Sequence, residues 1–252
     1  MAGSFTANTT YAEIADNAAL DLLDTGWTLF FFVYPSSSVG GSTNQYIYSH
    51  GQPLATVYAI NLFRVGTGGT TMRLIIDWTG GNLFDSTTTT ALLTLDTWNT
   101  VVLAYDGTNI FLGAGANGVA NVETGSPPAL PTIPPIGVAR IGQSSWTTAG
   151  TRWWVGRIAH AAKADIAIGL ADVQRLCSSY LSPDFYPRTV VWHVPFWDDQ
   201  FWDQNGVVSV TNVGLSWLPH GPFVYPSPPW QGNASPGSAV VANAIYQYFR
   251  YG

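Results

Sequence analysis

Residues Trp98-Asn99-Thr100-Val101-Val102-Leu103-Ala104-Tyr105 run into Asp106-Gly107-Thr108-Asn109 and out again through Ile110-Phe111-Leu112-Gly113. Both apolar runs are short and rich in β-branched and aromatic side chains, which fit a pleated surface. Asp-Gly tolerates positive φ, so the stretch reads as a β-hairpin, and a second turn signal, Asn117-Gly118, follows it. Toward the N-terminus, residues 57–65 alternate and stop at Gly66, Gly68 and Gly69. The next run sets Met72, Leu74, Ile76 and Trp78 on one face and Arg73 and Asp77 on the other, a second hairpin. Earlier still, Trp27-Thr28-Leu29-Phe30-Phe31-Phe32-Val33-Tyr34 is apolar throughout and ends at Pro35. That is the pattern of a strand buried on both faces.

Toward the C-terminus, Pro127, Pro128, Pro131, Pro134 and Pro135 make an extended loop, and strands resume near 137–142 and 153–163. Leu170, Val173, Leu176 and Cys177 fall at helical spacing with Asp172 and Arg175 pointing away, which predicts one short helix. Ser182-Pro183 ends it and marks a module boundary, dividing the chain into 1–182 and 183–252. In the second part, residues 188–197 and 207–210 read as strands, separated by a polar turn in which Asp198, Asp199 and Asp203 are expected to be solvated. Residues 219–237 are proline-rich and stiff. Beyond them lies an apolar strand carrying Val240, Val241, Ile245, Tyr246, Tyr248, Phe249 and Tyr251. On a lone molecule this strand is an exposed hydrophobic edge, so it is expected to add to a neighbouring subunit.

Composition agrees with an all-β chain and narrows the function. Of 252 residues, 46% are hydrophobic and 10% charged, far below the roughly 25% of an average domain. Disorder is excluded. A net charge of −6 excludes a generic nucleic-acid binder, and no apolar run is long enough to span a membrane. The single Lys163 and the two glutamates, Glu13 and Glu123, leave few helix-surface residues. So uncharged a surface points to coverage by neighbours, as in a homo-oligomer or a larger assembly. Cys177 is alone and reads as a buried thiol, without a disulfide or a cysteine zinc site. The start, Met1-Ala2-Gly3-Ser4, lacks the basic and apolar regions of a signal peptide, so synthesis in a cytoplasm is expected.

The order of these motifs resembles the laminin-G-like, or concanavalin-A-like, jelly-roll module over residues 4–180. The resemblance rests on Tyr11-Ala12-Glu13-Ile14, Leu20-Asp21-Leu22 and Thr28 to Pro35. It continues through Trp98 to Gly107 with Asn117-Gly118, then Ile141-Gly142, Gly156-Arg157-Ile158 and Leu170 to Leu176. Residues 113–122 depart from the pattern in being rich in Gly and Ala. The implied fold is all-β: a two-sheet antiparallel sandwich with one short helix and an extended C-terminal arm. Residues 183–226 resemble the continuation seen in tailed-bacteriophage proteins, through Pro187 to Trp192, Asp203-Gln204-Asn205-Gly206 and His220-Gly221-Pro222. This implies a virion component, in head or tail, held by other virion subunits.

Relatives of the fold include glucanases, lectins and calcium binders. Retaining hydrolysis needs two carboxyls about 5 Å apart. Neither Glu13 nor Glu123 has an acidic partner two residues on, so no catalytic residue is assigned and an enzyme is not expected. No Gly-x-Ser-x-Gly, His-Glu-x-x-His or Gly-x-x-x-x-Gly-Lys motif occurs. His160 and His193 lie inside strands and read as packed or hydrogen-bonded. Asp106, Asn109 and Asp77 are calcium candidates by type, but Asp106 and Asn109 already have a turn to build. No metal site is assigned. Trp146, Trp153 and Trp154 with Arg152 form an aromatic group after Gly142-Gln143-Ser144-Ser145 that suits contact with a glycan or a protein. The sequence thus supports a non-enzymatic structural virion protein, with a lectin-like module for cell-surface glycans as the alternative.

Overall fold

The computed structural model describes residues 2–7, 9–22, 25–38, 44–51, 59–66, 69–78, 81–127, 135–145, 152–179, 190–196 and 203–218. In chain order the strands are β1 Ala2–Phe5, β2 Tyr11–Ile14, β3 Trp27–Pro35, β4 Asn44–His50, β5 Ala59–Val65, β6 Thr71–Trp78, β7 Gly81–Leu92 and β8 Asn99–Tyr105. They continue as β9 Ile110–Ala116, β10 Val119–Gly125, β11 Ala139–Ile141, β12 Gly156–Ala164, β13 Val190–Val194, β14 Val210–Val213 and β15 Ser216–Leu218. Among the described residues one α-helix, α1, spans Leu170–Ser179, and a short 3-10 turn spans Ala18–Leu20. The strands form two antiparallel sheets. Sheet A has the order β10-β9-β8-β3-β12-β1-β15, with β13 also paired to β12, and sheet B has the order β14-β2-β11-β4-β5-β6-β7. No helix among the described residues is long and apolar enough to cross a membrane.

The central strand β3 shows why sheet A takes two apolar layers. Trp27, Leu29, Phe31 and Val33 enter the core between the sheets, while Phe30 and Phe32 enter a second cluster on the outer face. Full burial of each such side chain contributes about 1.5–3 kcal/mol. β8 divides in the same way, with Val101 and Leu103 inward and Val102 and Ala104 outward. Helix α1 covers this outer face with Val173, Leu176 and Cys177. Leu170, expected on the same stripe, is instead 40% exposed, because it opens the helix and overhangs the packed face.

The Gly- and Ala-rich stretch proves to be regular hairpin. β9 and β10 pair from Ala116↔Val119 to Ile110↔Gly125, around Asn117 at φ 53° and Gly118 at φ 81°. The small residues are what α1 requires. A Cβ on Gly113 would stand 2.7 Å from Val173 Cγ1, and one on Gly115 would stand 2.2 Å from the Cys177 carbonyl oxygen.

The strands described after residue 182 belong to the same two sheets. β13 pairs with β12, β14 with β2 and β15 with β1, so residues 190–218 extend both sheets. Their Trp192, Val194, Phe196, Val208 and Leu215 lie in the same core as Phe31 and Leu62. Asp203, expected in solvent, is 5% exposed. Its Oδ1 accepts from the backbone N–H groups of His193 (2.7 Å) and Asn205 (3.1 Å), and its Oδ2 from those of Val207 (2.7 Å) and Val208 (3.1 Å). One carboxylate therefore satisfies four backbone donors, one on β13 and three on the loop that returns from sheet A to sheet B. The proline-rich segment and the apolar strand at 240–251 lie outside the described residues.

Candidate functional site

The two outer faces differ. On that of sheet A, α1 packs over β8, β9 and β10, whereas that of sheet B carries polar and aromatic side chains. Ile60 and Leu62 of β5 point into the core, so Asn61 and Phe63 point out. β6 alternates likewise: Met72, Leu74 and Ile76 face in, and Arg73 and Asp77 face out. The pair Tyr46↔Phe63 links β4 to β5, and the two rings stack at 4.8 Å between centroids.

Two guanidinium groups lie over this stack. Arg152 sits 5.9 Å from the Tyr46 ring and donates to the Tyr46 hydroxyl at 3.3 Å. Arg73 sits 5.9 Å from the Phe63 ring and grips Asp85 of β7 with two hydrogen bonds, at 2.8 and 2.5 Å. Asp77 completes the group: its Oδ2 accepts from Asn61 Nδ2 at 3.2 Å. Behind Asn61, its Oδ1 accepts from Ser49 Oγ at 2.7 Å, and the Ser49 and Ser145 hydroxyls are 2.9 Å apart. Asn61 and Ser49 are buried, while Asp77 and Arg152 are half-buried and Arg73 and Asp85 are each 30% exposed. A fixed inner layer thus aims an outer layer of charged groups. Burial pushes the Asp77 carboxyl above the usual aspartate value, against the Asn61 hydrogen bond, and pushes the Tyr46 hydroxyl up, against Arg152. Beside this group on the same face, Arg140 bridges to Glu13 at 2.9 Å and lies 4.6 Å from the Tyr11 ring. Donors and acceptors held this way can grip a ligand bearing neighbouring hydroxyls, each of which both gives and takes a hydrogen bond.

The structure separates the residues expected to form the contact patch. Arg152 joins the group described above. Trp153 is half-buried and bridges to Gln143. Trp154 is a correction to that patch: it is 0% exposed and belongs to the core, with the Arg64 guanidinium 5.5 Å from its ring. Trp146 and the arm residues Val240, Val241, Ile245, Tyr246, Tyr248, Phe249 and Tyr251 lie outside the described residues. The calcium candidates are split between sheets. Asp106 caps its turn by accepting from Thr108 N at 2.8 Å and Asn109 N at 2.6 Å, between β8 and β9, whereas Asp77 is on β6 of sheet B. Among the described residues, no three His, Cys, Asp or Glu side chains gather as a metal site. His160 and His193 hydrogen-bond to each other, and both are fully buried. Sequence reasoning singled out Arg152, and Asp77 for another purpose, but missed Tyr46, Asn61, Arg73 and Asp85. Alternation set Arg73 and Asp77 outward, yet nothing in the sequence brings β4 and β7 beside them.

Comparisons with known proteins agree with this architecture. The chain is similar to a candidate carbohydrate binding protein from Bacteroides ovatus (TM-score 0.56, 15% identity), covering 85% of this chain and 58% of that one. It therefore spans less than two thirds of that protein. It is also similar to the CBM40 module of the Ruminococcus gnavus IT-sialidase, bound there to α2,3-sialyllactose (TM-score 0.52, 13% identity, 70% and 96% covered). A third similarity is to tailspike protein 2 of bacteriophage CBA120 (TM-score 0.50, 12% identity, 70% and 27% covered). At such identities these likenesses show the fold alone. No curated protein sequence matches the chain significantly. A laminin-G-type family model matches residues 6–174, from β2 into the first half of α1, and by that match the chain belongs to the concanavalin A-like lectin/glucanases superfamily.

Proposed function

We propose that the chain is a carbohydrate-binding module that holds a glycan on the outer face of sheet B without turning it over. The carrying observation is the outer layer of Arg152, Asp77 and Arg73, set over the stacked Tyr46 and Phe63 and fixed from below by Asn61 and Ser49. A carboxylate beside a guanidinium supplies the acceptor and the donors that a vicinal diol needs, and the buried layer spares the cost of ordering them on binding. The carbohydrate-binding proteins that share the fold support the reading. Glycan-array screening followed by calorimetry tests it. A restricted set of glycans should bind, Arg152→Ala and Asp77→Asn should each weaken binding about tenfold or more, as loss of a charged hydrogen bond does, and no product should form. Uniform background across the array would sink the proposal.

A second reading places this module in a phage virion, as a decoration or tail component held by other subunits. The scarcity of charge favours it, as does the occurrence of the fold in a phage tailspike. Mass spectrometry of purified particles from a host that expresses the gene tests it. The chain should be present at a fixed ratio to the major structural proteins, and its absence would remove the reading.

A further inference from the structure

The two lateral sides of the sandwich are finished differently. On one side β7 and β10 close on each other: Gly125 leaves room for the Phe84 ring, and Ser86 Oγ donates to the Glu123 carboxylate at 3.4 Å. On the other side β14 and β15 are the outermost strands of sheets B and A, and among the described residues nothing pairs with the far side of β14. The register Val210↔Ile14, with Ala15 N donating to Ser209 O at 3.1 Å, turns the backbone groups of Ser209, Thr211 and Val213 toward β2. Those of Val210 and Asn212 point away from the sheet. Thr211 and Asn212 are exposed, and so, on the same side, are Val207 (43%) and Leu218 (37%). Natural sheets blunt such an edge with charge or proline. Val210-Thr211-Asn212-Val213 and Ser216-Trp217-Leu218 contain neither.

We propose that the open edge of β14 is a strand-addition site for residues 240–251 of a second copy of this chain. That segment contains Val240, Val241, Ile245, Tyr246, Tyr248 and Phe249, residue types that suit a strand laid on an apolar edge. It is joined to β15 by residues 219–239. Residues 219–239 include six prolines, and a proline-rich chain of that length can reach roughly 65 Å at about 3.1 Å per residue. A domain of this size is about 45 Å across, so a linker of that length is long enough to carry the segment to a neighbouring molecule. The inference does not depend on the glycan reading.

The test compares the full chain with the full-length double variant Ile245→Pro/Phe249→Pro, which cannot form a continuous strand. Light scattering gives the mass, and hydrogen exchange read by mass spectrometry follows the Val210 and Asn212 amides. The expected result is an oligomer with slowed exchange at these amides, reverting in the variant to a monomer with fast exchange there. Thr211→Lys, a charge on the exposed edge that leaves the arm intact, should shift the mass toward monomer as well. A monomer with a protected edge would mean that the arm folds back on its own body, and an oligomer with an unprotected edge would mean another interface. Either result overturns the proposal, as does identical exchange in chain and variant.

Discussion

His160 Nδ1 lies 2.9 Å from His193 Nε2, and both imidazoles are fully buried. This contact joins β12 of the module matched by the family model to β13 of the C-terminal part, outside that match. It stands beside the Asp203 carboxylate, which accepts from the His193 backbone N–H. The C-terminal part is therefore locked on by polar groups as well as by Trp192 and Phe196 in the core.

His193→Ala removes the imidazole contact and should cost about 1–3 kcal/mol. Asp203→Ala removes the acceptor of four backbone donors at once and should cost at least as much. Urea denaturation with global and β13-specific probes measures both. A double-mutant cycle of His160→Ala and His193→Ala should show a coupling above about 0.5 kcal/mol. Additive losses would mean that the hydrogen bond contributes nothing measurable.

Gly113 marks where α1 touches sheet A. Gly113→Ala forces a methyl group against Val173 Cγ1 (2.7 Å) and Cys177 Sγ (2.8 Å), and should destabilise by about 1–3 kcal/mol as overpacking does. Cys177→Ala in the same chain should recover part of that loss. Burial pushes the Cys177 thiol well above its ordinary range, so it should resist a soluble thiol reagent until the protein unfolds. Rapid labelling of the native protein would show that α1 detaches from the sheet.

Much of this architecture is legible in the sequence because burial on two faces leaves a distinctive trace. The run from Trp27 to Tyr34 predicts a two-sided strand, and the structure gives one. The Asp106-Gly107 and Asn117-Gly118 turns and the helix stripe of Val173, Leu176 and Cys177 are equally plain. What the sequence hides depends on partners distant in the chain. Asp203 looks like any solvated turn carboxylate: its four N–H donors lie within ten residues of it, but the burial of that loop against the two sheets is set by strands far away in the chain. Trp153 and Trp154 are strand neighbours, so alternation turns at least one of them away from the core, but residue type does not say which; burial places Trp154 inside. The strands β4 and β7 carry mixed polar and apolar residues with little periodicity. The candidate site, which they help to build, is correspondingly hard to foresee.

His50 gives the protein an acid limit. It faces the core from β4, fully buried, and burial lowers its pKa from the ordinary 6.5 to about 4. Between these values the unfolded chain takes up a proton that the folded chain refuses. Stability is therefore full above pH 6.5 and is lost as the pH falls toward 4, by on the order of 3 kcal/mol. His50→Leu should flatten this part of the profile. Urea titrations of both proteins across the window measure the difference, and parallel curves would show that the acid loss arises elsewhere.

Asp77 sets a second pH dependence, in binding. If its carboxylate accepts from the ligand, affinity must fall once that group is protonated. Burial raises its pKa above the ordinary 3.8, so the fall begins at a higher pH than a solvated aspartate would allow. Asp77→Asn keeps an acceptor oxygen and a similar shape without the charge. It should bind more weakly near neutrality and lose little further affinity on acidification. Arg152→Ala should weaken binding at every pH yet retain the acid-dependent fall, since the aspartate titrates in either case. Calorimetry of the three proteins against one array-selected glycan separates these outcomes. A wild-type profile that stays flat through the acid range, with Asp77→Asn equally weak throughout, would place Asp77 among the groups that shape the site and not among those that touch the sugar.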